Sequence, residues 1–160
     1  MKKFRGKRRY FHNLQELANV QTSYITLDKD AWFDFWHTHL DFEGIGNIRL
    51  KFRREHVKAH LNFYKSLLVQ MDSIKKPYQS WIYIHMDDAG QDAVYIHTPN
   101  PNSDNFPYKN DDIDWSCSVP EFLNDLVDLN TYRVGFLNSP YEQAYYIQAK
   151  SYGVPLQKQK

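Results

Sequence analysis

Cysteine and long apolar runs are nearly absent from this chain of 160 residues. The one cysteine, Cys117, allows neither a disulfide within the chain nor a cysteine-based zinc cluster, which suits a reducing compartment. No apolar run approaches the roughly 18 residues of a membrane-spanning helix, and no apolar stretch follows the basic first positions. We therefore expect a cytoplasmic protein without a membrane segment or a secretory leader.

Motifs for nucleotide binding and metalloprotease chemistry are absent as well. The glycines of GIGN, Gly44 and Gly46, belong to neither GxGxxG nor GxxxxGK[ST], so no phosphate-binding loop is predicted. His56 and His60 have the spacing of two zinc ligands on a helix, but Glu55 lies beside them rather than between them, so HExxH is missing. We expect neither a complete catalytic set nor a cofactor.

Acidic residues predominate once the start of the chain is set aside. Six of the 20 lysines and arginines stand in the first ten positions, so the remaining 14 face 19 aspartates and glutamates. Two acidic clusters stand out: Asp87, Asp88 and Asp92, and then Asp111, Asp112 and Asp114. Such a body favours basic partners, whereas residues 1–9 form a basic arm that we expect to be flexible, like residues 157–160.

Hydrophobic residues make up 42% of the chain, which is enough for one packed domain over residues 1–160. The clearest element is a helix over Arg53–Ser73, whose apolar residues recur at spacings of four and three: Val57, Leu61, Tyr64, Leu68 and Met71. Alternating segments predict two hairpins, SWIYIHM with DAVYIHT and YRVGFL with QAYYIQA. The sequence therefore predicts an α+β fold, in which an antiparallel sheet of at least four strands, built from two hairpins, packs against two to four helices.

Weaker signals predict the remaining elements. The spacing of aromatic residues favours a helix over Asp30–Phe42, although aromatic residues also suit a strand. Ser118 and Glu121 form a capping box that predicts a short helix, and residues 98–112, dense in Pro, Asn and Asp, predict a surface loop. Near the start, a short helix over Leu14–Val20 and a short strand over Tyr24–Leu27 are predicted.

The first hairpin allows its register to be predicted. Pairing Met86 with Val94 and Ile84 with Ile96 gathers the aliphatic residues on one face. The other face then carries two tyrosines and two histidines: Tyr83, His85, Tyr95 and His97. One face is therefore core, and the other suits either a partner or burial beneath another element.

The segment WHTHLDFEGIGN suggests an alternative function. His37, His39 and Asp41 stand at alternate positions, as ligands do in some metal-dependent hydrolases. On a strand the three side chains would share one face, whereas on a helix they would not. The alternative is a metal-dependent hydrolase that uses these three residues, with His56 and His60 as further candidate ligands.

Two segments, WFDFWHTHLDFEGIGN followed by a helix and PYQSWIYIHMDDAGQDAVYIHTPNPN, resemble small bacterial proteins of toxin neighbourhoods over residues 30–107. The resemblance implies an immunity protein, which is a cytoplasmic antidote to a toxin of a polymorphic or contact-dependent growth-inhibition system. It assigns no role to individual residues. The acidic body and the 12 tyrosines agree with such a protein-binding role.

The leading hypothesis is therefore a binding protein, not an enzyme, that neutralises a toxin domain through an acidic and aromatic surface. The expected partner-binding residues are seven aspartates and three tyrosines: Asp87, Asp88, Asp92, Asp104, Asp111, Asp112, Asp114, Tyr83, Tyr95 and Tyr108. The basic arm leaves a further alternative, a nucleic-acid-binding adaptor, although no RRM, KH or zinc-finger pattern accompanies it.

Overall fold

Two α-helices and six β-strands are present in this computed structural model, which describes residues 6–24, 26–27, 33–38, 50–73, 78–86, 92–98 and 110–150. In chain order they are α1 (Lys7–Tyr24), β1 (Phe33–Thr38), α2 (Leu50–Met71), β2 (Gln79–His85), β3 (Ala93–Thr98), β4 (Ile113–Asp114), a 3₁₀ turn (Glu121–Leu123), β5 (Tyr132–Asn138) and β6 (Gln143–Ala149). The predicted α+β class is confirmed, and so is the long helix.

All six strands belong to one antiparallel sheet with the order β1-β3-β2-β6-β5-β4. Both predicted hairpins are confirmed, because β2 pairs with β3 and β5 pairs with β6. The hairpins join side by side through β2 and β6, where Ile82 is opposite Ile147. β1 and β4 then flank this four-stranded centre.

The core lies between α2 and one face of the sheet. The predicted apolar face of α2 is confirmed, since Val57, Tyr64 and Met71 are fully buried. This face packs in one cluster with the aliphatic side chains of β2 and β3, which include Ile82 and Val94. α1 packs against α2, and its Leu14 and Ala18 are buried.

α1 extends beyond the predicted Leu14–Val20 helix at both ends. Its first turn includes residues 7–9, so the last part of the predicted basic arm is helical. The helix ends at Tyr24, and the strand predicted over Tyr24–Leu27 is wrong at that residue. Leu27 is buried, and its amide donates to the side-chain oxygen of Gln70 (3.1 Å) instead of joining a strand.

The helix favoured over Asp30–Phe42 is wrong for the residues that the structure describes there. Phe33–Thr38 form β1, which pairs with β3 so that His37 is opposite Tyr95. Aromatic residues are compatible with both a helix and a strand. β3 favours the strand, because the edge of β3 that does not pair with β2 offers backbone hydrogen bonds to Phe33–Thr38.

The helix predicted from the capping box after Ser118 is also wrong. Only the 3₁₀ turn Glu121–Leu123 forms; it is preceded by Pro120, and no side chain caps it. Arg54 of α2 donates to the carbonyl oxygens of Glu121 and Asn124 (3.1 and 2.6 Å). The guanidinium of Arg54 therefore binds both carbonyls. Directly after the turn and Asn124, the backbone of Asp125 has a positive φ.

The register of the first hairpin differs from the predicted one. Val94 is opposite Ile82 rather than Met86, so the strands are offset by an even number of residues. An even offset keeps every side chain on its predicted face. The amide of His85, at the end of β2, donates to the carboxylate of Asp92, which directly precedes β3 (3.1 Å).

The face of the sheet turned away from α2 is aromatic, as predicted. Trp81, Tyr83, Tyr95 and Tyr146 form a contiguous group whose neighbouring ring centroids are 5.4–6.5 Å apart. Trp81 and Tyr83 are only 5% and 9% exposed. We call this group the aromatic face; it is largely buried.

Tyr64 of α2 completes the join between the two hairpins. Its hydroxyl donates to the carbonyl oxygen of Ser80 in β2 (2.9 Å) and accepts from the amide of Ala149 in β6 (3.4 Å). Both atoms lie beyond the pair formed by Ile82 and Ile147. A side-chain hydroxyl therefore bridges the strands where the direct pairing ends.

We expect Tyr64→Phe to destabilise the fold by about 1–3 kcal/mol, because it removes the acceptor of a buried amide and a donor to Ser80. Urea unfolding at pH 7 measures the change. Tyr141→Phe is the matched control, since Tyr141 is 95% exposed and loss of its hydroxyl should leave stability unchanged. Equal stability of the two variants would contradict the bridging role.

Candidate partner-binding site

The sheet brings the end of β2 and the start of β4 to the same end. Asp114, in β4, is opposite Phe136 of β5. Across the sheet Phe136 is opposite Tyr145, and Tyr145 is opposite Ile84 near the end of β2, which the first cluster follows in sequence. We call this region the acidic end and define it by Asp111, Asp112, Asp114, Tyr141 and Glu142.

The aspartates of the second cluster are exposed on an ordered turn. The side-chain oxygen of Asn110 accepts from the amide of Asp112 (3.0 Å), and its carbonyl accepts from Ile113 (3.2 Å). Asp114 accepts from both the hydroxyl and the amide of Ser116 (2.6 and 2.8 Å), which lowers the pKa of Asp114. Within the described ranges, no ion pair engages these aspartates.

Tyr141 stands at the tip of the turn between β5 and β6. The amide of Ser139 donates to the carbonyl of Glu142 (2.9 Å), and the amide of Glu142 donates back to Ser139 (3.4 Å). Pro140 restricts the backbone just before the tyrosine. Because β4 lies beside β5, the turn adjoins the acidic residues that precede β4. An exposed ring on a constrained backbone is well suited to anchor a protein interface.

Tyr83 and Tyr95 lie on the aromatic face. The hydroxyl of Tyr83 donates to the carboxylate of Glu142, and burial, followed by this bond, raises the pKa of Tyr83. Tyr95 is half-buried, with its ring stacked on Trp81 at a centroid distance of 5.7 Å, and burial raises its pKa too. Of the two roles that the sequence left open for this face, Tyr83 has the buried one, because the neighbouring rings cover it, whereas Tyr95 keeps a partly exposed ring. Partner binding by either tyrosine stays a prediction.

Asp92 is an internal residue. Its side chain is 7% exposed, and it forms an ion pair with the guanidinium of Arg53 in α2 (3.4 Å). The same carboxylate oxygen accepts from the amide of His85. The prediction that places Asp92 on an exposed surface is wrong, because Arg53 and His85 provide inside the fold the partners that a buried carboxylate requires.

Six of the residues singled out in the sequence lie outside the described ranges: Asp87, Asp88, Asp104, Tyr108, His39 and Asp41. Their roles stay predictions. His37 lies in β1, while His85 has its ring 5.7 Å from that of Tyr83 and His97 is buried opposite Gln79. The histidines of the described ranges are thus distributed over separate strands of the sheet and over both helices.

His56 and His60 lie on the part of α2 that meets α1 and the hairpin of β2 and β3. Nε2 of His56 is 3.0 Å from the hydroxyl of Tyr10, and Nδ1 of His60 is 2.9 Å from the carbonyl oxygen of His56. Burial lowers the pKa of His56 to about 4 and also lowers the pKa of His60, so both rings are neutral at pH 7. Among the described residues, no three His, Cys, Asp or Glu side chains are grouped to hold a metal ion.

No family model, curated protein or solved structure matches this chain. No helix in the described part of the chain is long and apolar enough to cross a membrane. A functional proposal therefore depends on the geometry and charge of the acidic end.

Three residues that matter here were not singled out in the sequence: Tyr141, Glu142 and Arg53. A local signal exists for Tyr141, because an aromatic residue directly after Ser-Pro in a hairpin turn has no core to enter. No comparable signal marks Arg53, since its partner Asp92 belongs to a different element far along the chain.

Stability should fall as the pH drops below about 6.5, the pKa of a histidine in an unfolded chain. His60 is 1% exposed and its pKa is lowered, so the unfolded state binds this proton more readily than the folded state. The contribution of His60 is complete above pH 6.5 and declines below it by up to about 1.4 kcal/mol per pH unit.

Urea unfolding at pH 7, 6 and 5 measures this slope. His60→Gln should reduce this slope, and His56, whose pKa is lowered as well, should account for the slope that remains. Val57→Ala, a buried change without a titrating group, should lower stability equally at each pH. If His60→Gln kept the original slope, His60 would not be the group responsible.

Proposed function

We propose that this chain is an immunity protein, which blocks a bacterial toxin domain by binding it with the acidic end. One observation carries the proposal: the exposed carboxylates of Asp111, Asp112 and Asp114 lie at the same end of the sheet as the exposed ring of Tyr141. Because β4 pairs with β5, Asp112 and Tyr141 contribute to one surface although they are far apart in sequence.

The charge of this surface favours a basic partner. A toxin domain that acts on nucleic acid must present lysines and arginines to the phosphates of its substrate. Carboxylates that cover those cations would exclude the substrate without any chemical step. Opposite charges also accelerate the encounter of the two proteins, which an antidote requires in order to act before damage accumulates.

Tyr141 gives the surface an apolar anchor beside its charges. Interfaces derive most of their affinity from a few aromatic or arginine residues, while the charged rim contributes mainly to association rate and specificity. The hydrogen-bonded turn from Ser139 to Glu142 holds the ring in place before binding. Less conformational entropy is therefore lost when a partner binds.

The proposal places the protein in the bacterial cytoplasm, where an antidote meets an incoming or newly made toxin. The single thiol of Cys117, which is half-buried, agrees with a reducing compartment. The open reading frames beside the gene of this chain are the first place to search for the partner, and a toxin domain encoded there is the one to test. Co-production of this chain should restore growth to cells that make that domain, and continued growth arrest at equal protein levels would contradict the proposal.

Asp112→Lys should slow association with the purified toxin domain by about three- to tenfold at low ionic strength, because it replaces attraction by repulsion at the acidic end. Biolayer interferometry at two salt concentrations measures the rate. The difference from the unaltered protein should shrink at high salt, where exposed charges are screened.

Glu16→Lys is the matched control, because it makes the same change of charge at an exposed position of α1. Its association rate should stay within about twofold of that of the unaltered protein, as expected for a charge remote from the interface. Equal slowing by both substitutions would show that only net charge matters and would contradict binding by the acidic end.

A further inference from the structure

Glu142 is a half-buried carboxylate at the point where the acidic end meets the aromatic face. It directly precedes β6, and because alternate residues of a strand share a face, its side chain starts on the same face as Tyr146. Ala144, which stands between them on that face, is small enough to let the carboxylate reach β2. There the hydroxyl of Tyr83, which is opposite Tyr146, donates to it. A largely buried tyrosine therefore holds one oxygen of the carboxylate.

The negative charge of Glu142 has no cation of the fold beside it. Among the residues that the structure describes, no lysine or arginine pairs with Glu142. Burial raises the pKa of Tyr83 and of Tyr95, and the charge of Glu142 raises both further, so the charge acts on the aromatic face. A carboxylate that is partly removed from water loses hydration, and one hydroxyl donor replaces only part of it.

Asp92 shows how the same fold treats a carboxylate that it uses internally. The amide of His85 donates to Asp92, and the guanidinium of Arg53 lies 3.4 Å from the same carboxylate. Glu142 has a comparable donor in Tyr83 but no such cation. A cation supplied by another molecule would complete the arrangement at Glu142 in the same way.

The residue before Glu142 adds an exposed ring that suits a cation. Tyr141 is 95% exposed, and its amide donates to the hydroxyl of Ser139 (3.3 Å), which helps to hold the turn. The face of a tyrosine ring attracts a lysine or arginine side chain. A hydrogen bond between ionised groups is also stronger where water is partly excluded than on an open surface. Carboxylate and ring together therefore favour a cationic side chain of a protein partner.

We propose that Glu142 binds a lysine or arginine side chain of the toxin domain and that Tyr83 is the positioning residue that orients its carboxylate, so that the two form a cation site. The cation site rests on the proposed function, because it assumes that the acidic end contacts the toxin. Exposed aspartates contribute mainly to the association rate, whereas a shielded ion pair slows dissociation. Glu142 therefore determines the lifetime of a complex whose formation the aspartates accelerate.

Urea unfolding of the protein alone tests whether the fold needs the charge of Glu142. Glu142→Gln keeps an oxygen that accepts from Tyr83 and removes the charge, so the urea midpoint should stay the same or rise. Asp92→Asn is the matched control; it should lower the midpoint, because the partly buried guanidinium of Arg53 loses its anion. A midpoint lowered by Glu142→Gln would show that the charge stabilises the fold and would overturn the proposal.

Dissociation of the complex tests the cation site directly. With a toxin domain against which this chain protects cells, Glu142→Gln should raise the dissociation rate at least about tenfold and change the association rate by less than about threefold. Glu16→Gln makes the same change at an exposed position of α1, and it should leave both rates within about twofold of those of the unaltered protein. An unchanged dissociation rate for Glu142→Gln would overturn the cation site.

Tyr83→Phe removes the orienting hydroxyl and keeps the ring. It should raise the dissociation rate about three- to fivefold, and it should add less than about twofold to the effect of Glu142→Gln, because both changes act on one contact. Tyr145→Phe is the matched control, since this half-buried hydroxyl of β6 makes no hydrogen bond among the described residues and its loss should leave the rates unchanged. Fully additive effects of Tyr83→Phe and Glu142→Gln would overturn the orienting role.

The cation site and the proposed function can fail separately. If Asp112→Lys slows association while Glu142→Gln leaves dissociation unchanged, the cation site fails and the proposed function stands. If Asp112→Lys has no effect, the acidic end is not the surface that contacts the toxin, and the cation site fails with it.

Discussion

The pairing of β2 with β6 is the constraint on which the rest of the molecule depends. It joins two local hairpins into one sheet, with Ile82 opposite Ile147 and the hydroxyl of Tyr64 bridging the strands beyond them. A hairpin can form from residues that are neighbours in sequence. The pairing of β2 with β6 instead connects two strands that are far apart in sequence. Because it fixes which strand ends are adjacent, it also places the end of β2 at the same end of the sheet as Asp111, Asp112 and Asp114.

Burial distinguishes the aspartate that stabilises the fold from the aspartates that remain exposed on the surface. Asp92 looks like a member of an acidic cluster, yet the fold uses it with Arg53 to secure the hairpin of β2 and β3. Asp111 and Asp112 carry the same charge but remain exposed to solvent. The same residue type is thus structural at one position and available for binding at another, according to whether a cation of the fold reaches it.

Periodicity was sufficient to predict the elements whose packing follows from their own residues. The apolar face of α2 and both hairpins are of this kind, and the even offset of the first hairpin left its two faces correct although its register was wrong. The failures occurred where a distant residue decides the outcome. β3 pairs with Phe33–Thr38 as a strand, and Arg54 of α2 donates to carbonyl oxygens at the 3₁₀ turn that stands where a helix after Ser118 was predicted. For the site, the acidic composition and Asp111, Asp112 and Asp114 were accessible from sequence, whereas the burial of Asp92 and Tyr83 required the tertiary contacts.

Mapping the bound surface tests the central claim most directly. In a titration of ¹⁵N-labelled protein with a toxin domain against which this chain protects cells, the largest amide shifts and line broadening should occur at Asp112, Ile113 and Tyr141. Amides on the exposed side of α1, such as that of Glu16, should remain unchanged. Perturbations concentrated on α1 with none at the acidic end would contradict the account.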